Sequence, residues 1–411
     1  MNRRSLVPAG LLFVPFAVLA AASPVDVRVF QVTAERPLRE LRTWIPFSAY
    51  HADTVPCLDL DASGPACPYA GFGITLGAGS EVDESVPLSF VRIRFDGGDP
   101  EKELGSIRPV LDGLRRRNPD LSVIAEFRTP PAEMKLGGEI SNGWIRPECI
   151  GDFTDHCVRC LRTCRTEGLK VIAVTHRDGP DSELYGPRPG CIWGPGEERP
   201  LLGRILPERM ASAGFGDIAI WYQDGEPRGW RQSNWVWTLD DAHVRANVKA
   251  VAWDFLGERP HDILRLRRHH PDIRLHAVSS DEGSAARERT LLGWSRAALR
   301  AFNAGCSSFV CGSAVPTGSA QAAAFRSVAA FVRPGADVLG TAYGHPRAQA
   351  VAAFANPDGT RVVVAVSGSP AGAEEDRPVP ADPKLQLQVR FKGLYSSFQL
   401  PSGSVTTILL K

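Results

Sequence analysis

Neither sign of charge predominates in this sequence: its 411 residues carry 47 Lys+Arg against 46 Asp+Glu. Without a dominant basic face, a nucleic-acid partner is not expected. Beyond the N-terminus no run is long and apolar enough to span a bilayer. There is no N-x-[ST] sequon, so N-glycosylation is not expected, and no G-x-S-x-G turn to carry a serine nucleophile. Gly71-Phe-Gly-Ile-Thr-Leu-Gly77 misses the dinucleotide-binding spacing by one residue and lacks its acidic follower. His156, Cys157, Cys160 and Cys164 lie at helical spacing, with no second ligand pair to complete a zinc site. They are read as packing or as a single disulfide, and no metal or other cofactor is expected. What remains, 43% hydrophobic and 23% charged residues, describes a globular chain of two or three domains, or one large barrel with an attachment.

The N-terminus adds a compartment. Arg3 and Arg4 precede the apolar stretch Leu11–Ala20 and the small residues Ala21, Ala22 and Ser23. A charged start, a short greasy core and a small-residue end form a secretory signal peptide, cut after Ala22. Nine cysteines survive the cut, and in an oxidising compartment some should pair; Cys57 and Cys67 form a plausible local bridge.

From Gly71 to about Ala330, apolar runs alternate with amphipathic stretches. The runs are Leu88–Phe95, Leu121–Phe127, Leu169–Thr175, Gly216–Tyr222, Val248–Phe255, Ile273–Ser279 and Cys306–Val310, and a less regular first run surrounds Gly71–Leu76. Helical patterns follow at Glu101–Arg117, Asp152–Glu167, Asp262–His269 and Ala285–Asn303. Eight β/α units in about 260 residues have the size of a (β/α)8 TIM barrel, with a doubly wound open sheet as the alternative. The flanks read as strands: Val25–Thr33 and Trp44–Tyr50 on one side, four β-rich runs after Phe331 on the other. They predict an all-β sandwich built from the N-terminal segment and the C-terminal tail. The expected division is 1–22 signal peptide, 23–70 N-terminal segment, 71–330 barrel and 331–411 sandwich.

Function in a barrel collects at the C-terminal strand ends. Those ends hold Arg92, Asp96 and Asp99, then Arg128, Asp178, Asp224, Glu226, Asp254, Asp281 and Glu282. Carboxylates around a barrel mouth suit glycoside cleavage, where one acid protonates the leaving oxygen and another attacks or activates water.

Several stretches resemble glycoside hydrolase family 30, most closely its acid β-glucosidases that cleave glucosylceramide. They are Ser89-Phe-Val-Arg-Ile-Arg94, Thr129-Pro-Pro-Ala-Glu-Met-Lys135, Glu167-Gly-Leu-Lys-Val-Ile-Ala-Val-Thr175, Asp281-Glu-Gly-Ser284 and Leu400-Pro-Ser-Gly-Ser-Val-Thr406. The resemblance implies a barrel with an attached β-sandwich and metal-free, retaining hydrolysis of a glycolipid or other β-glycoside. It implies Glu282 as nucleophile, Arg92 as its support, and sugar binding by Asp99 and Trp253. A lysosomal or secreted location, transient contact with a membrane surface and an activator protein also follow from it.

The match is uneven where it matters. The family's Asn-Glu-Pro reads Asp178-Gly179-Pro180, so Gly179 stands at the acid/base position. Expected tryptophans are Arg128 and Glu133, and the His-Trp-Tyr run is Ala252-Trp253-Asp254. Two readings result. The first is a β-glycosidase in which Asp178, Glu133, Asp224 or Glu226 supplies the missing proton. The second is a non-catalytic homologue that binds a glycan, a glycolipid or a protein.

Overall fold

The computed structural model describes residues 27–32, 57–141, 143–176, 189–224, 234–254, 266–278, 291–312, 315–340, 350–367, 385–400 and 404–411. Three short strands come first: β1 (Val27–Val32), β2 (Cys57–Asp59) and β3 (Pro65–Pro68). Eight parallel strands follow: β4 (Gly71–Leu76), β5 (Phe90–Phe95), β6 (Ser122–Phe127), β7 (Lys170–Thr175), β8 (Ala219–Asp224), β9 (Val248–Asp254), β10 (Arg274–Val278) and β11 (Ser308–Cys311). They close into a barrel in chain order, β11 pairing back onto β4. Closure excludes the open doubly wound sheet.

Because successive strand residues point to opposite faces, each strand feeds two cores. Phe90, Ile124, Ala173, Trp221, Val278 and Val310 pack together in the lumen. Their neighbours, such as Val91, Ala125, Val174 and Phe309, pack outward with the helices. Gly73 permits this filling: a Cβ there would lie 2.3 Å from the Phe90 ring.

The helices start where local chemistry dictates. In α1 (Pro100–Arg117), Asp99 caps the first turn by accepting the Glu101 N–H at 2.9 Å, Pro100 opens the helix and Arg115, Arg116 and Arg117 close it. Helix α2 (Ile150–Thr166) follows β6 and buries Phe153, His156, Cys157, Cys160, Leu161 and Cys164. Further helices among the described residues are α3 (Pro195–Pro200), α4 (Leu206–Ser212), α5 (Asn234–Leu239), α6 (Ala242–Asn247), α7 (Leu291–Asn303) and α8 (Ala320–Ala329).

The tail supplies β12 (Asp337–Leu339), β13 (Ala350–Ala355), β14 (Arg361–Ser367), β15 (Leu385–Phe391), β16 (Leu394–Leu400) and β17 (Ser404–Leu410). Two sheets form, β1-β17-β14-β13-β12-β3 and β16-β15-β2, each drawing strands from both ends of the sequence. Leu58, Val351, Val363, Leu387, Phe398 and Ile408 fill the space between them. The other face of the larger sheet joins the barrel core: Phe354 meets Phe302 of α7 edge-on, with centroids 5.2 Å apart. Buried on both faces, Val362–Val366 is continuously apolar rather than alternating.

The expected Cys57–Cys67 bridge is corrected by the structure. Cys67 is a free thiol whose Sγ approaches the Cys306 carbonyl at 3.5 Å, and β2 and β3 belong to different sheets. The three cysteines on α2, Cys157, Cys160 and Cys164, are free thiols as well. Cys160 Sγ lies 3.6 Å from His156 Nε2. No group of His, Cys, Asp or Glu among the described residues is arranged to hold a metal ion. No helix among them is long and apolar enough to cross a membrane. The strand expected at Trp44–Tyr50 lies outside the described residues.

Candidate active site at the barrel mouth

The lumen changes from apolar to charged toward the C-terminal ends of the strands. Above Phe90, the next lumen-facing positions of β5 are Arg92 and Arg94. Register places Arg94 opposite Glu126 of β6, and Glu126 opposite Thr175 of β7. Arg92 Nε lies 3.2 Å from Glu126 Oε2 and donates to Thr75 Oγ1 of β4 at 3.0 Å. Arg94 Nε lies 3.5 Å from the same carboxylate oxygen. Arg92, Glu126, Thr75 and Thr175 are all buried. The Thr175 hydroxyl has no hydrogen-bond partner among the described residues.

Other site residues fall in different places. Arg128 and Asp96, one residue beyond their strands, approach at 3.6 Å. Asp99 is exposed and its carboxylate caps α1. The turn before α1 is held by Glu103, whose Oε1 accepts the N–H groups of Asp96 (3.0 Å) and Gly98 (2.9 Å). Burial pushes the Glu103 carboxyl up, against the pull of those two donors. Glu133 is exposed on a short turn after β6. Trp253 points away from the lumen, packed edge-on against Trp235 at 6.5 Å in the layer between barrel and helices. Its neighbour Ala252 faces the lumen instead. Asp224 and Asp254 end β8 and β9, with side chains outside the described set. Asp178, Gly179, Glu226, Asp281 and Glu282 also lie outside the described residues.

Three buried polar networks shape the surroundings. At the end of β7, His176 Nε2 lies 3.1 Å from Glu198 Oε1 of α3. Tyr222 of β8 (3.3 Å) and Thr238 of α5 (2.7 Å) donate to the other oxygen of Glu198. Lys135 is buried after β6 and donates to the Ile140 carbonyl at 2.8 Å, the Thr129 hydroxyl at 3.2 Å and the Gly190 carbonyl. Lower in the lumen, His276 stacks on Trp221 and shares a 2.8 Å hydrogen bond with Ser308.

The sequence reading missed Glu126, Glu198 and His176. A signal for Glu126 was available: it is the one charged residue in the run Leu121–Phe127, and it shares the parity of Ile124.

No protein-family model and no curated protein matches the sequence. Solved structures match well across the chain. An endo-β1,6-glucanase superposes with a TM-score of 0.68 at 17% identity, covering 85% of this chain and 93% of its own. SrfJ from Salmonella typhimurium gives 0.68 at 19% identity, covering 88% and 93%. A GH30 endoxylanase from Clostridium papyrosolvens C71 gives 0.65 at 15% identity, covering 86% and 99%. The chain has the fold of the family 30 glycoside hydrolases. In this family 30 fold both parts are matched together, barrel and sandwich, since almost the full length of each neighbour is covered. The likeness is one of architecture, with the barrel mouth as the place where its chemistry is to be sought.

Proposed function

We propose that the protein is a secreted, family 30-type β-glycoside hydrolase that retains its nucleophile and has lost its positioned proton donor. In this reading the Glu282 carboxylate attacks the anomeric carbon, the bond to the leaving oxygen breaks, and water then displaces the carboxylate from the glycosyl-enzyme. Gly179 has no side chain to protonate the departing oxygen. Loss of a positioned acid removes about 10²–10⁴-fold in rate, most severely for poor leaving groups. The observation that carries the reading is Arg92, buried at the lumen end of the second barrel strand and already oriented by hydrogen bonding and charge. The substrate class is a β-glucoside. Glucosylceramide-type lipids are the finer assignment that the sequence motifs favour, and the β1,6-glucan and xylan named for the structural neighbours are its competitors.

A second reading, a non-catalytic glycan or glycolipid binder, draws support from Gly179 and from the outward orientation of Trp253. One experiment separates the two. Dinitrophenyl β-glucoside, whose leaving group needs no proton, is expected to turn over, azide should accelerate release and yield β-glucosyl azide, and a cyclitol epoxide should label Glu282. Absence of both turnover and labelling would leave the binding reading.

A further inference from the structure

Glu126 is a carboxylate buried in the lumen with no water-facing edge. Two cations from β5 approach it, Arg92 at 3.2 Å and Arg94 at 3.5 Å. The adjoining strand β7 presents the uncharged Thr175, and β4 presents Thr75 on the far side of Arg92. Buried ion pairs are seldom more stable than a well-packed apolar replacement. A charged cluster kept at the C-terminal end of the barrel therefore points to chemistry rather than to folding.

The geometry says what the cluster does. A guanidinium is a planar fork of five donors, so fixing one nitrogen and its plane fixes the direction of the rest. Nε of Arg92 is held between Thr75 and Glu126, one on each neighbouring strand. We infer that Glu126 is a positioning residue: it sets the plane of Arg92 and so keeps the guanidinium in the orientation that supports the proposed nucleophile. This rests on the reading of Glu282 as nucleophile, and it adds a residue to that site which acts only through Arg92.

The test is a double-mutant cycle on the full chain with dinitrophenyl β-glucoside and a cyclitol epoxide. Glu126→Gln keeps the shape and removes the charge. It should lower kcat and the epoxide inactivation rate together, on the order of 10–100-fold, with KM changed by no more than about two-fold. Glu126→Asp, which keeps the charge, should recover part of the loss. Arg92→Lys should be impaired as well, and adding Glu126→Gln to it should cost nothing further, because the residue acts through the guanidinium. Additive losses, or an unchanged kcat in Glu126→Gln, would overturn the inference while leaving the nucleophile reading intact. If Glu126→Gln fails to fold, Glu126→Asp in the two Arg92 backgrounds makes the same comparison. No turnover and no labelling in the unmodified protein would instead sink the nucleophile reading, and this inference with it.

Discussion

The imidazole of His276 lies flat on the indole of Trp221, with 3.9 Å between ring centroids and 7° between planes. The pair forms part of the floor beneath the charged cluster, and Ser308 supplies the ring's hydrogen bond. Burial, with Arg274 adding to it, pushes the His276 imidazole down to about 3. The ring is therefore neutral in the folded protein at neutral and mildly acidic pH.

That neutrality makes the fold acid-sensitive. An exposed histidine titrates near about 6.5, so below that pH the unfolded chain binds a proton that the folded chain refuses. The stability contribution is whole above about 6.5 and is lost as pH falls toward 3. His156, pushed down to about 4 by burial and by Arg159, acts in the same direction. The melting temperature should be level above pH 7 and fall steadily from pH 6 to 4. His276→Phe, which keeps a ring on Trp221, should flatten that fall. Calorimetry across the range checks this, and an equal slope in the variant would refute it.

Glu198 ties the end of β7 to β8, α3 and α5 through His176, Tyr222 and Thr238. Glu198→Ala removes the shared partner of three buried polar groups at once and should destabilise the protein by about 3–5 kcal/mol. Glu198→Gln keeps an acceptor and should lose less. Denaturant titration distinguishes them. Equal stability of all three proteins would mean the network contributes nothing.

Lys135 joins the segment after β6 to the segment around Gly190. Lys135→Met leaves carbonyls without their donor and should cost about 1–3 kcal/mol. The loss should be local. Hydrogen exchange should quicken at the amides of Leu136, Gly190 and Ile192, which bond to Trp144, Ile140 and Gly143 across the same loops. Exchange at the barrel amides of β5 and β6 should be unaltered, and uniform acceleration across the protein would contradict the assignment.

The described thiols should resist reagents. Burial pushes Cys157 and Cys160 up, and Cys164 to about 12. Cys306 is raised by burial too, whereas Cys67 is partly exposed. Native alkylation at pH 8 should spare positions 157, 160, 164 and 306, and denaturation should expose them without a reductant. Recovery of a disulfide-linked peptide containing any of these four, or of a Cys57–Cys67 peptide, would count against the free-thiol arrangement.

The barrel was legible in the sequence because each unit is local. The run Leu121–Phe127 contains the strand Ser122–Phe127, and Ile273–Ser279 contains Arg274–Val278. Elements with weak local signals were not. Prolines at 195, 200 and 207 disguise the helical stretch of α3 and α4, and β16 follows a tight Lys392-Gly393 turn with little period-two pattern. Orientation was the harder problem. Whether Trp253 or its neighbours face the lumen depends on barrel closure, which ties together strands distant in sequence. The same closure turns Glu126 from a blemish in an apolar run into the partner of Arg92.

The placement of β17 has a consequence for biosynthesis. It lies between β1 and β14, pairing Val27 with Val405 on one side and Arg361 with Leu410 on the other. A strand made among the first therefore waits, unpartnered, until residues 404–410 have been synthesised. A ribosome that stops short of them releases a chain with two bare strand edges, the kind of surface that aggregates or attracts proteolysis. Synthesis of residues 404–410 is thus a precondition of a closed sheet, and products truncated before them expose their own defect.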